Sequence, residues 1–248
     1  VTPLAEICVE GADDIVAAQN GGADRVELCA SLLEGGLTPS IGMVRRALAV
    51  AKIPMHAMVR PRGSDFLYSD SDFTAMLDDV AAFREAGVAG VVFGCLLADG
   101  KIDTARTRAL VAASGPLRTV FHRAFDMVAD AAASLEALID CGVGRVLTSG
   151  RRPRAIEGAD TLHDLAAQAA GRIIIIGCGG LRPDNIAEVR RRTGLGEYHF
   201  SAMQPQESPM DYRNPAIAMG GAGTAREYRR NVTSEAQVRV TIDALRGA

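Results

Sequence analysis

Ionisable and sulfur-bearing side chains recur at alternate positions in several short apolar stretches of this chain. Glu6, Cys8 and Glu10 alternate with Ile7 and Val9, and Arg25, Glu27 and Cys29 alternate with Val26 and Leu28. His56, Met58 and Arg60 alternate with Ala57 and Val59, and His199 and Ser201 with Tyr198 and Phe200. His122 and Asp126 oppose Phe121 and Phe125, with Arg123 breaking the pattern. Successive side chains of a strand point to opposite faces, so each stretch reads as a strand with one polar face.

Two kinds of site can be assembled from these groups. Cys8 and Cys29, each two residues after a Glu, with Met58 and His56 nearby in sequence order, are soft donors. Thiolate and thioether suit Cu(I), and thiolate with imidazole suits zinc. The second is an anion site joined to acid–base groups. Gly177-Cys178-Gly179-Gly180 precedes a helix opened by Pro183, where bare N–H groups suit a phosphate. Ser149 and Gly150 add donors, Arg60 and Arg62 add charge, and Glu6, Glu27, His122 and Asp126 offer proton transfer. A structural reading also stands: Glu6 and Glu27 forming an ion network with Arg60, and cysteines that simply pack. The two lysines, Lys52 and Lys101, read as loop residues, which leaves no strand lysine for a Schiff base.

The elements that must carry these groups follow a regular plan. Eight apolar stretches begin at Leu4, Arg25, Pro54, Gly90, Arg118, Arg145, Arg172 and Glu197. Helical segments follow them, and starts are typically about 25–30 residues apart, as βα units require. Strand five is expected over Arg118–Asp126. The pattern predicts one α/β domain over 1–248, a TIM (β/α)8 barrel whose polar strand faces line the lumen and whose site lies at the C-terminal mouth. A doubly wound sheet fits less well, because no glycine fingerprint follows the first strand. The segment 203–233 is long, polar and rich in Gly, Pro and Arg, and is expected either to fold across the mouth or to serve as an oligomer contact.

The bulk numbers narrow the classes. Of 248 residues, 48% are hydrophobic and 23% charged, and the net charge is -3. That balance gives no footprint for nucleic acid or anionic membrane. No apolar run approaches the roughly 20 residues that span a bilayer, and the opening Val1-Thr2-Pro3 does not read as a signal peptide. Five cysteines without a CxxC pair point to reduced thiols and a cytoplasmic setting.

In order along the chain, Glu6-Ile7-Cys8, GADRVELCASLLEGGLTPS (Gly22–Ser40), MVRPRGSDFLYS (Met58–Ser69), VVFGCL (Val91–Leu96), FHRAFD (Phe121–Asp126), LTSG (Leu147–Gly150) and YHFSAM (Tyr198–Met203) resemble the CutC family. The resemblance covers nearly the whole chain. It implies a TIM barrel, a cytoplasmic location, a homo-oligomer (dimer or tetramer) and Cu(I) binding in copper tolerance, with Cys8 and Cys29 matching that family's proposed thiols. Two readings result. One is a copper homeostasis protein binding Cu(I) without turnover. The other is an enzyme that uses the lumenal carboxylates on a small anionic substrate.

Overall fold

The structure is a computed structural model and describes residues 2–217, 219 and 227–247. Strands β1 (Leu4–Val9), β2 (Arg25–Leu28), β3 (Met55–Met58), β4 (Gly90–Phe93), β5 (Arg118–Phe121), β6 (Arg145–Thr148), β7 (Ile174–Cys178) and β8 (Glu197–Phe200) pair in chain order. All pairs are parallel, and β8 returns to β1, so the sheet closes into the expected TIM barrel. The helices are α1 (Ala12–Asn20), α2 (Ile41–Leu48), α3 (Asp70–Ala86), α4 (Thr104–Ser114), α5 (Ala131–Asp140), α6 (Ala159–Ala169), α7 (Ile186–Thr193) and α8 (Glu235–Arg246).

Local chemistry explains where the helices begin. Ser40, Asp103, Asp130 and Ser234 each accept a backbone N–H of the first turn, the stabilising role of an N-cap. Helix α3 opens with a reciprocal pair, Ser69 and Asp72, each bonded to the other's backbone. Strand five is shorter than its sequence suggests. It stops at Phe121, and Arg123–Met127 winds into a 3-10 helix capped by His122, so Asp126 sits on that helix rather than on a strand.

Strand alternation divides the apolar side chains into two compartments. Ile7, Val26, Leu28, Val91, Phe93, Phe121 and Tyr198 face the helices and form the large outer core. Cys29, Met58, Val92, Val120, Leu147, Ile176 and Cys178 form a separate cluster inside the barrel. Beneath it lies a charged layer. Arg25 bonds Glu6 and Glu197, and Arg145 bonds Glu197 at 3.1 Å. Two guanidinium and two carboxylate groups thus neutralise one another where neither sign could be buried alone.

The segment after β8 is not an open loop throughout. Strands β9 (Met203–Glu207) and β10 (Arg229–Thr233) pair antiparallel as an arm. The arm is tied to α1 by the Thr233 N–H, which donates to Asp14 Oδ1 at 2.8 Å. Within 203–233, residues 218 and 220–226 lie outside the described residues.

Gly90 shows how tightly the lumen is filled. A Cβ there would lie 2.6 Å from His56 Cδ2 and 2.7 Å from the Arg118 carbonyl. Overpacking of this kind costs about 1–3 kcal/mol. Gly90→Ala is therefore expected to lower the unfolding free energy by that amount, read as a lower denaturant midpoint at unchanged slope, whereas an unshifted midpoint would show that both the His56 ring and the Arg118 backbone have room to move.

Candidate functional site

The residues at the C-terminal strand ends enclose a cavity of about 550 Å³. Cys8, Glu27, Met58, Arg60, His122, Asp126, Cys178, Gly179, Gly180 and His199 all reach its wall. It thereby collects most of the candidate residues on one surface. Glu6 lies beneath, Cys29 is fully buried beside it, and Arg62, Ser149 and Gly150 stand outside the lining. Among the described residues, none of the arm contributes to it.

A relay of charged groups forms the floor. Glu6 Oε1 lies 2.8 Å from His199 Nδ1, and His199 Nε2 lies 3.8 Å from Glu27 Oε2. Burial alone would raise the Glu6 carboxyl. Hydrogen bonding with His199 and His56 and the charge of Arg25 instead hold it well below the usual carboxylate range. Burial works against a charge on His199, yet the carboxylate of Glu27 and its other partners raise it well above the ordinary histidine value. Glu27 is raised, first by burial, and the negative Glu6 adds to the effect against the opposing pull of His199.

Glu27 itself is only half satisfied. Its Oε2 accepts the Cys29 thiol at 3.4 Å, while Oε1 is buried with no hydrogen-bond partner among the described residues. Burial, followed by the charges of Glu27 and Cys8, pushes the Cys29 thiol well above its ordinary value, so it carries its proton. Glu6, Glu27 and His199 bring ligand atoms within 4.8 Å of one another, a group that could hold a metal ion. These donors are hard, however, and both Glu6 oxygens already face Arg25 and His199. Soft donors also converge here. Cys29, Met58 and Cys178 share the lumenal cluster, and Cys8 reaches the wall above it. Gly36, at φ +89°, makes room for two of them: a Cβ there would lie 3.1 Å from Cys29 Sγ and 3.4 Å from Met58 Cε.

The rim divides the candidate arginines. Arg60 is buried and meets no carboxylate among the described residues. Its Nη1 donates to the carbonyls of Glu34 and Gly36, its Nη2 donates to that of Ser64, and its Nε–H has no partner. The expected ion network of Glu6 and Glu27 with Arg60 therefore does not form: Arg25 pairs with Glu6 and Glu197 instead, and Glu27 faces His199. Arg62 is committed to Asp65 and Asp72 and organises the loop before α3, away from the cavity. Asp126 is occupied by Arg123, the Thr148 hydroxyl and the N–H groups of Ser149 and Arg151. Ser149 Oγ bonds Asp126, Arg123 and the Arg152 carbonyl, so Ser149 braces the β6 loop. The Gly150 N–H is taken by the Thr148 hydroxyl.

His122 is set differently. Its Nδ1 accepts the Ala124 N–H at 3.1 Å, which places the ring proton on Nε2. That Nε2–H is buried and has no partner among the described residues. Burial, reinforced by the charge of Arg60, lowers its pKa to about 3.

The profile of the CutC family matches residues 3–204. The chain belongs to the CutC family. A CutC family protein of Mesorhizobium japonicum is 61% identical over 98% of this chain and 94% of its own length. The human copper homeostasis protein cutC homolog is 43% identical over 98% of this chain and 88% of its own length. The solved structure of CutC from Streptococcus agalactiae superposes with a TM-score of 0.76 at 32% identity, covering 79% of this chain and 97% of that one. Copper homeostasis is thus the name attached to relatives of a CutC barrel whose floor combines soft sulfur with a carboxylate–imidazole relay.

Sequence reasoning set aside three members of this CutC site. His199 and Arg25 were visible as polar members of alternating strands, but no spacing rule marks a relay across β8, β1 and β2. Cys178, read as the last residue of strand seven and part of the glycine stretch after it, does end β7, and it joins the lumen cluster.

His122 gives a direct check. A histidine with a depressed folded pKa binds fewer protons than the unfolded chain, so its contribution to stability falls as pH drops below about 6.5 toward its folded value. In ¹H–¹⁵N spectra His122 is expected to remain the neutral Nε2–H tautomer from pH 8 to about pH 5. A titration midpoint near the ordinary histidine value would show that the ring is not enclosed as described.

Proposed function

We propose that the protein serves copper homeostasis by binding a Cu(I) ion with Cys8, Cys29 and Met58 at the floor of the barrel mouth. The observation that carries this reading is that four sulfur-bearing residues, on or directly after β1, β2, β3 and β7, border the upper lumen: Cys29, Met58 and Cys178 in its apolar cluster and Cys8 at the cavity wall. Thiolate and thioether are the donors Cu(I) prefers. Thiols must lose their protons to ligate, so loading releases protons and strengthens as pH rises. The name of the human relative supports the same role. Five free thiols suit a reducing, cytosolic setting. A homo-oligomer, dimer or tetramer, belongs to the same reading, and the exposed Met210, Tyr212 and Met219 on the arm segment support it. In an anaerobic Cu(I) titration against a competing chelator, the wild type is expected to take one tight equivalent that Cys8→Ser/Cys29→Ser loses. Equal, weak binding by both proteins would leave the cysteines as packing.

A second reading is favoured by the lone Glu27 Oε1. A buried acceptor without a donor costs about 1–3 kcal/mol unless something else supplies a hydrogen bond. In this reading the mouth works on a small anionic organic molecule. Glu27 is its acid–base group, held in place by His199, which Glu6 orients; these two are positioning residues. The reading accounts for a relay that Cu(I), a soft cation, does not need. Glu27→Gln is expected to abolish the function in cells depleted of the endogenous protein while Cu(I) affinity stays within about twofold, roughly 0.4 kcal/mol. Full complementation by that variant would remove the second reading.

A further inference from the structure

Among the described residues, three polar atoms of the cavity lining are left over after the protein's own hydrogen bonds are made, and they differ in kind. Glu27 Oε1 is an acceptor, whereas His122 Nε2–H and Arg60 Nε–H are donors. Glu27 and His122 are each 3% exposed and Arg60 6% exposed. Buried polar groups are almost always paired, so three such atoms on residues that line one cavity call for a partner that the chain itself does not supply. Across the mouth, the N–H groups of Gly179, Gly180 and Leu181 donate to no acceptor among the described residues. Gly179 and Gly180 have φ of +94° and +64°. Next to them Arg182 is exposed and meets no carboxylate among the described residues, whereas Arg123 is already paired with Asp126.

We propose that the cavity binds the phosphate ester of a small hydroxy-carbonyl compound. The phosphate sits in the Gly179–Leu181 cradle beside Arg182, the carbonyl oxygen accepts from His122 Nε2–H, and a hydroxyl donates to Glu27 Oε1. The proposal rests on the second reading above and specifies its substrate class. Consecutive backbone N–H groups with a nearby guanidinium form an anion site for which phosphate is well suited. A neutral imidazole fixed as a donor polarises a carbonyl without adding a competing charge. Arg60 supplies the remaining positive charge on the carbonyl side, with its other nitrogens holding the β2 and β3 loops in place. A cavity of about 550 Å³ is of the size that holds such molecules.

Calorimetric titration with inorganic phosphate, ribose and ribose 5-phosphate tests this on the full chain. Ribose 5-phosphate is expected to bind at least about tenfold more tightly than ribose, and to shift the His122 Nε2–H resonance, which inorganic phosphate leaves unmoved. Arg182→Ala, a surface change, is expected to weaken ribose 5-phosphate and phosphate by about tenfold and leave ribose unchanged. Equal affinity for ribose and ribose 5-phosphate, or an Arg182→Ala protein indistinguishable from wild type, would overturn the proposal. Glu27→Gln separates the two levels. If it complements fully in cells while ribose 5-phosphate binds as expected, the ligand site stands and the acid–base reading falls. If it abolishes function while neither phosphate nor ribose 5-phosphate binds, the cradle falls and the acid–base reading stands.

Discussion

Glu6 is the group on which the interior depends. A carboxylate with 1% exposure inside a barrel is tolerable only because Arg25 takes one oxygen and His199 the other. Through Arg25 it is joined to Glu197 and Arg145, so the lower lumen is a closed set of compensating charges. Through His199 it reaches Glu27, and so sets the orientation of the ring that faces the cavity. Removing one member of such a set leaves an uncompensated buried charge, which costs far more than the intact set contributes. The barrel therefore keeps a polar centre at some expense in stability, as expected where the lumen has work to do rather than only space to fill.

The mouth above this floor is built from loops that the same side chains hold down. Arg60 gathers the loops after β2 and β3 with three carbonyl contacts and lies over Phe66 at 5.1 Å. Phe66 in turn packs 5.0 Å from His122. One residue thus shapes two loops and fixes the wall against which His122 rests. Arg62, two positions on, does the corresponding work on the outer side, closing the turn into α3 through Asp65 and Asp72.

Much of this architecture was legible in the residues themselves. Alternation in β1, β2, β3 and β8 reported which face looks inward, because a parallel strand has only two faces and only one of them can be wet. Glu6, Glu27, Cys8, Met58, Arg60 and His122 were located by that rule. What it could not report was who meets whom. Alternation places Arg25 and Arg60 equally well opposite a carboxylate, and only the closure of β8 onto β1 brings Glu197 and His199 to Glu6. The rule also overran at the end of β5. His122 turns its ring nitrogen back onto the Ala124 N–H, which converts the strand into a 3-10 turn and carries Asp126 against the β6 loop, whose N–H groups it accepts.

The separation of the two apolar compartments by a single layer of backbone has a further consequence. The side chains that hold the helices to the sheet and those that face the cavity share no packing cluster. Changes made at distant, unconnected sites add rather than compound. The sheet acts as a partition between a conserved-volume frame and an exchangeable interior, so the lumen can acquire a new set of donors while the helices that solve the folding problem remain unaware of it. A single scaffold of this kind can be re-equipped for soft metals or for phosphate esters by changes confined to one side of the partition.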